Sequence, residues 1–194
     1  MKTIKLVFIF LMAISISLGT FSVSVKEVSA ADSAQTDADL NSDAAGILPT
    51  NPFYFMKQFG WNLRRFLTFD PVQKLDLELK IIDQKIAEIK KLQDINLDTD
   101  ESLNKAVVNY EENLDQLKAK LESIKTDTST NPNLESVLNT LMERGLKHKE
   151  IFSNLKEKRH ASIKSILDGA IVRINALLEE VSKIKAASSV GGES

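Results

Sequence analysis

No cysteine occurs in this chain of 194 residues. That excludes disulfides, thiolate metal sites, a thiol nucleophile and a lipid-modified cysteine anchor. The folded part must therefore be held by packing alone. Glycine and proline are scarce as well, at seven and four. With 27% charged residues, this is the balance of a helical protein rather than a sandwich or barrel. The net charge of −2 supplies no bulk electrostatic footprint for nucleic acid, so no nucleic-acid partner is expected. Catalytic patterns are missing too: no G-x-S-x-G, H-E-x-x-H, G-x-x-x-x-G-K-[ST] or G-x-G-x-x-G is found. The expectation is a protein that is not an enzyme and needs no cofactor or metal.

What is present begins with a leader. Lys2 and Lys5 flank an apolar run from Leu6 to Leu18, Gly19 ends it, and Val28-Ser29-Ala30 places small residues for cleavage before Ala31. Thirteen residues fall short of the ~20 that span a bilayer. Residues 1–30 are thus read as a secretory signal peptide, with an uncleaved membrane anchor as the alternative. Their removal takes three positive charges and one negative, leaving a mature charge of −4. Residues 31–46 are small, polar and acidic, with too little apolar area to order themselves, and are read as a disordered linker. Residues 188–194 are read as a disordered tail.

The helical domain is expected over 47–187. Asn51-Pro52 is a start signal for a first helix running to about Leu67. Asp70-Pro71 starts the next, with Asp70 as N-cap. From there Val72, Leu75, Leu79, Ile82, Ile86 and Ile89 step by three and four, a heptad seam. After polar residues 93–99 a second seam follows: Leu103, Val107, Tyr110, Leu114, Leu117, Leu121, Ile124. Two matched seams across a short polar loop predict an antiparallel pair. Pro132 opens another stretch, with Leu134, Leu138, Leu141, His148, Phe152 and Leu155, weakened at Gly145; Ile163, Leu167, Ala170, Ile174, Leu177, Val181 and Ile184 form the last seam. One helix over 132–187 would be about 84 Å long at ~1.5 Å per residue. Two pieces match the earlier helices better, which favours a turn near Glu157–His160. The fold class expected is all-α: antiparallel helical hairpins in a four- to five-helix bundle with coiled-coil-like seams.

The stretch Leu48-Pro49-Thr50-Asn51-Pro52-Phe53-Tyr54-Phe55-Met56-Lys57, followed by Leu67-Thr68-Phe69-Asp70-Pro71 and then Lys74, Leu75 and Leu77, resembles the exported prokaryotic domain of unknown function numbered 5667. Members of that family read L-P-x-[SN]-P-x-Y-x-x-K, then L-T-F-D-P, then a charged heptad helix. The resemblance covers residues 47–92. Family members often carry a proline in the turn placed here at 157–160, and this sequence does not. The resemblance implies an extracytoplasmic helical domain, often behind a signal peptide or membrane segment. It implies no activity.

Seven aromatics crowd residues 53–69. On a helical wheel Phe53, Phe55, Met56, Phe59, Leu63, Phe66 and Leu67 share one broad face, which is expected to be core. Tyr54, Trp61 and Arg65 fall opposite, with Trp61 and Arg65 spaced for a cation–π contact. Together with Lys57 and Arg64 they form the candidate interaction surface: exposed aromatics mark contact sites, and a basic aromatic helix at 52–67 suits an anionic membrane surface. The alternative is that another helix of the bundle covers Tyr54 and Trp61. Glu157 and His160 have the Glu-x-x-His spacing of di-iron bundles, but the second half of such a site is absent, since Gly145 stands where His148 would need its glutamate. His148 is read as a core or rim histidine, or as a pH-sensitive element. Glu111, Glu112, Asp115 and Glu122 are read as a solvated polar face. The function expected is a structural or protein-interaction module of the cell envelope that binds a protein partner or itself. A chaperone-like client binder and a peripheral membrane module docked by helix 52–67 are the alternatives.

Overall fold

The computed structural model describes Leu40 and residues 42–96, 98–126 and 131–190, all within the unit Asp32–Ser194. The expected leader lies outside the described residues. A 3-10 turn, η1 (Ser42–Ala45), precedes five α-helices: α1 (Tyr54–Leu67), α2 (Pro71–Asp94), α3 (Asp100–Thr126), α4 (Leu134–Glu157) and α5 (Ala161–Val190). Among the described residues there is no strand. The fold is all-α.

The heptad seams are what the chain buries. Every residue of the α2, α3 and α5 seams named above is buried, as are Leu138, Leu141, Phe152 and Leu155 of α4. Each such leucine or isoleucine contributes about 1.5–3 kcal/mol of transfer free energy. Helices α2 and α3 pack as one hairpin and α4 and α5 as another; α3 lies against α5 and α2 against α4, which closes the bundle. The weak point of the α4 seam has a reason in this packing. A Cβ on Gly145 would stand 2.6 Å from Cδ2 of Leu178, so any larger residue there requires the Leu178 side chain to shift.

The helix starts divide into two kinds. Asp70 caps α2 as expected, its Oδ1 accepting from the Gln73 amide at 2.8 Å, with Pro71 in the first turn. Thr99 does the same for α3, accepting from the Ser102 amide at 3.2 Å. The two Asn-Pro signals behave differently. Asn51 Oδ1 accepts from the Phe53 amide (2.8 Å) and Asn131 Oδ1 from the Asn133 amide (3.0 Å). Both are Asx turns, in which the side chain closes a loop two residues on instead of capping a helix. Helices α1 and α4 accordingly begin at Tyr54 and Leu134, two residues later than the sequence predicts.

Three further boundaries differ from expectation or settle an open one. The linker expected over 31–46 is partly built into the fold: residues 42–45 form η1, and Leu40 and Ala45 are buried against the bundle. The expected tail starts too early, because α5 continues through Ser188 and Ser189 to Val190. Residues 132–187 are two helices, with the turn at Lys158–His160. No proline is needed there, because Arg159 reaches across to Asp98, donating to its backbone carbonyl at 3.1 Å and to its carboxylate. Among the described residues no helix is long and apolar enough to cross a membrane.

Candidate functional site

Helix α1 has a polar stripe at Tyr54, Lys57, Trp61 and Arg65, with steps of three, four and four. All four side chains turn inward onto α2. Arg65 donates from Nε and Nη2 to the Glu78 carboxylate (2.6–3.1 Å) and from Nη2 to Asn113 Oδ1 on α3 (2.8 Å). Trp61 Nε1 donates to Gln84 Oε1 at 2.7 Å. Lys57 Nζ donates to Glu88 Oε1 at 2.5 Å and to the carbonyls of Ala45 (2.5 Å) and Ile47 (3.2 Å). The Tyr54 hydroxyl donates to Glu88 Oε2 at 2.8 Å and accepts from Lys85 Nζ. As the numbers rise along α1 the partners fall along α2, so the two helices run antiparallel.

The partners on α2 form a stripe of their own. Glu78, Ile81, Lys85 and Glu88 step by three, four and three and are all buried beside the apolar seam. Lys85 Nζ also contacts Glu88 Oε1 at 3.3 Å. Burial lowers the affinity of both Lys57 and Lys85 for their protons, and the Glu88 charge restores part of it. Burial, reinforced by the same carboxylate, pushes the Tyr54 phenol well above its usual range.

The outcome inverts the expected faces of α1. The candidate interaction surface is largely internal: Tyr54, Lys57, Trp61 and Arg65 are half-buried or better, and only Arg64 of the five is exposed. Arg64, not Arg65, lies over the Trp61 ring, 4.7 Å from its centroid. The apolar face expected to be core is outside. Phe53, Phe55, Met56, Phe59, Leu63, Phe66, Leu67 and Phe69 are between 48% and 79% exposed, and α1 buries no residue fully. An amphipathic wheel separates two faces and does not say which one meets the protein. Here the polar face does, because α2 offers it buried carboxylates. The sequence signal for those carboxylates is a second helical stripe of charged residues flanking an isoleucine.

The histidines separate. His160 is exposed in the α4–α5 turn and Glu157 is exposed at the end of α4. His148 is buried. Its Nε2 is 3.0 Å from Asp83 Oδ1 and its Nδ1 is 3.2 Å from the Tyr110 hydroxyl, while Asp83 Oδ2 also accepts from Arg144 Nη1. Tyr110 packs edge-on against both His148 and Phe152. This is a polar joint between α2, α3 and α4 at the centre of the bundle. Among the described residues no three His, Asp or Glu side chains gather as metal ligands would. Of the carboxylates expected to be solvated, Glu112, Asp115 and Glu122 are exposed, whereas Glu111 is half-buried and lies 3.6 Å from Arg173 Nε on α5.

The chain's only two tyrosines both belong to these polar clusters. Burial raises both phenols, Tyr110 with help from the Asp83 charge. A folded-state value above the unfolded one gives stability that is present below about pH 10 and lost as pH rises beyond it. The depressed lysines act the other way: Lys57 and Lys85 give stability that grows from their lowered values towards about pH 10.4. Stability is therefore expected to rise through the mildly alkaline range and then fall. Tyrosinate absorbance followed beside the helical circular-dichroism signal checks this. Both phenols should stay protonated past pH 10 and ionise only as the helices melt. Ionisation near pH 10 with the helices intact would contradict the burial of these groups.

A family model described as a domain of unknown function (DUF5667) matches residues 46–162, from the end of η1 to the start of α5. No curated protein matches the chain, and no solved structure does.

Proposed function

Because the chain belongs to this family, DUF5667, whose description assigns no activity, we propose that it works as a non-catalytic docking module outside the cytoplasmic membrane, binding through the outer face of α1. The observation that carries this reading is that face. With about 200 Å² for each large side chain, the eight exposed residues leave roughly 1,000 Å² of apolar surface in water. The largest apolar patch on a typical soluble monomer is about 300–600 Å² and is often functional. The underside of the helix is fixed by directed polar bonds, so the face is held in place rather than left over from loose packing. The leader pattern at 1–30 supports the location.

The test is a photo-crosslinking side chain placed at Phe59 in living cells that produce the full chain. The reading expects adducts at that position and none at Val172, which is equally exposed on α5. Discrete protein adducts identify a partner, lipid adducts a membrane, and a smear of unrelated proteins the chaperone-like use of the same face. Absence of any adduct at Phe59 would overturn the docking role.

A further inference from the structure

We propose that the outer face of α1 docks on the surface of a lipid bilayer, with Phe55, Phe59, Leu63 and Phe66 entering the boundary between headgroups and acyl chains. This rests on the docking reading and names its partner.

The width of the face argues for a bilayer over helix-to-helix pairing with a second copy. Phe55, Phe66, Phe59, Leu63, Met56 and Leu67 cover an arc of about 120° on the helical wheel at 100° per residue, and Phe53 and Phe69, just outside the helix, are exposed as well. The face belongs to one convex helix lying flat on the outside of the bundle. A second copy pairing through the same helix would cover a two-helix seam, which is narrower than this arc. A lipid surface covers the whole width at once, and an interfacial helix buries its apolar face about 5–10 Å into the boundary. The helix of 14 residues spans about 21 Å and satisfies its own backbone, as a segment in contact with hydrocarbon must.

Charge points the same way and sharpens the expectation. Helix α1 carries no acidic residue. The carboxylates that α1 contacts, Glu78 and Glu88, face its underside and are taken up by Arg65, Lys57 and Lys85. Nothing negative on α1 opposes an anionic headgroup. Of its three cations only Arg64 is exposed, at the edge of the apolar arc against the Trp61 ring. Docking is therefore driven by apolar area rather than by lipid charge. This revises the anionic surface expected from three basic residues, because two of the three are consumed inside the fold.

The experiment is flotation of the protein, purified from cells expressing the full chain, with vesicles of phosphatidylcholine alone and of phosphatidylcholine with phosphatidylglycerol. Both vesicles should carry the protein, with affinities within about fivefold, the effect of one exposed cation, and salt should release little of it. The double change Phe59→Ser with Phe66→Ser is expected to lower partitioning about 100-fold. Both residues are exposed, so the thermal midpoint should hold. Val172→Ser should change neither. Failure of the protein to float with either vesicle would overturn the proposal. A concentration-dependent dimer split by the double change would also overturn it, assigning the face to a second copy while the docking reading stands. No vesicle binding, no dimer and no adduct at Phe59 would remove both.

Discussion

Asp83→Ala is expected to cost about 3–5 kcal/mol of folding stability, the range seen when one partner of a buried ion pair is removed. For a domain of this size that lowers the thermal midpoint by roughly 10 °C. Asp83 uses both carboxylate oxygens, one on Arg144 and one on His148, and His148 in turn meets the Tyr110 hydroxyl. The side chain of Asp83 is buried where α2 meets α4. The loss should come from the charge left behind, not from the space vacated. Asp83→Leu combined with Arg144→Met is therefore expected to recover a large part of it, because a buried pair replaced together by apolar groups is often neutral. Thermal melts of the single and double variants decide. A single variant within about 1 kcal/mol of the parent, or a double variant as damaged as the sum of its parts, would show that the joint is not held electrostatically.

Glu88→Gln is the second large expected loss, about 3 kcal/mol, from a change of one atom. Glu88 is 1% exposed and is shared by Lys57 and Lys85, the latter wholly buried, and by the Tyr54 hydroxyl. Since α1 buries no residue fully, these bonds and those at Glu78 and Gln84 hold it to the bundle. The effect should be local first. Amide exchange over Tyr54–Leu67 should accelerate before that of α3 and α5, and the emission of Trp61 should report wetting while the bundle still stands. The pH dependence separates charge from packing. Without the carboxylate both lysine values fall further, so the variant should regain stability as pH rises from neutral towards 10, more steeply than the parent. A variant whose deficit does not change with pH would place the loss in packing.

The bundle was legible because its signal is redundant. Each seam repeats one apolar choice six or seven times, and Leu75 through Ile89, Leu103 through Ile124 and Ile163 through Ile184 all lie where their spacing puts them. The break at 158–160 was legible only from length. The contact that fixes it, Arg159 with Asp98, joins residues 61 apart in sequence. The site was legible as a segment but not in orientation. Phe55, Phe59 and Phe66 announce an apolar face, and the ordinary rule turns such a face inward. What overrides the rule is a set of pairings, Arg65 with Glu78, Trp61 with Gln84 and Lys57 with Glu88; the charged stripe on α2 is local, but which helix it meets is not. Asp83 was hidden for the same reason. A lone aspartate beside a heptad seam reads as solvated until Arg144 and His148 are brought to it.

The separation of α1 into an anchored underside and an outer face has a consequence for how such a chain changes over generations. Substitutions at Phe55, Phe59, Leu63 or Phe66 touch none of the contacts that keep the bundle folded. Single substitutions on the outer face are therefore expected to leave the fold in place. Substitutions at Glu78, Asp83 and Glu88, by contrast, break buried ion pairs and are expected to be costly. What α1 presents to its surroundings is therefore expected to change without disturbing the architecture, much as a handle keeps its fitting while the tool head is exchanged.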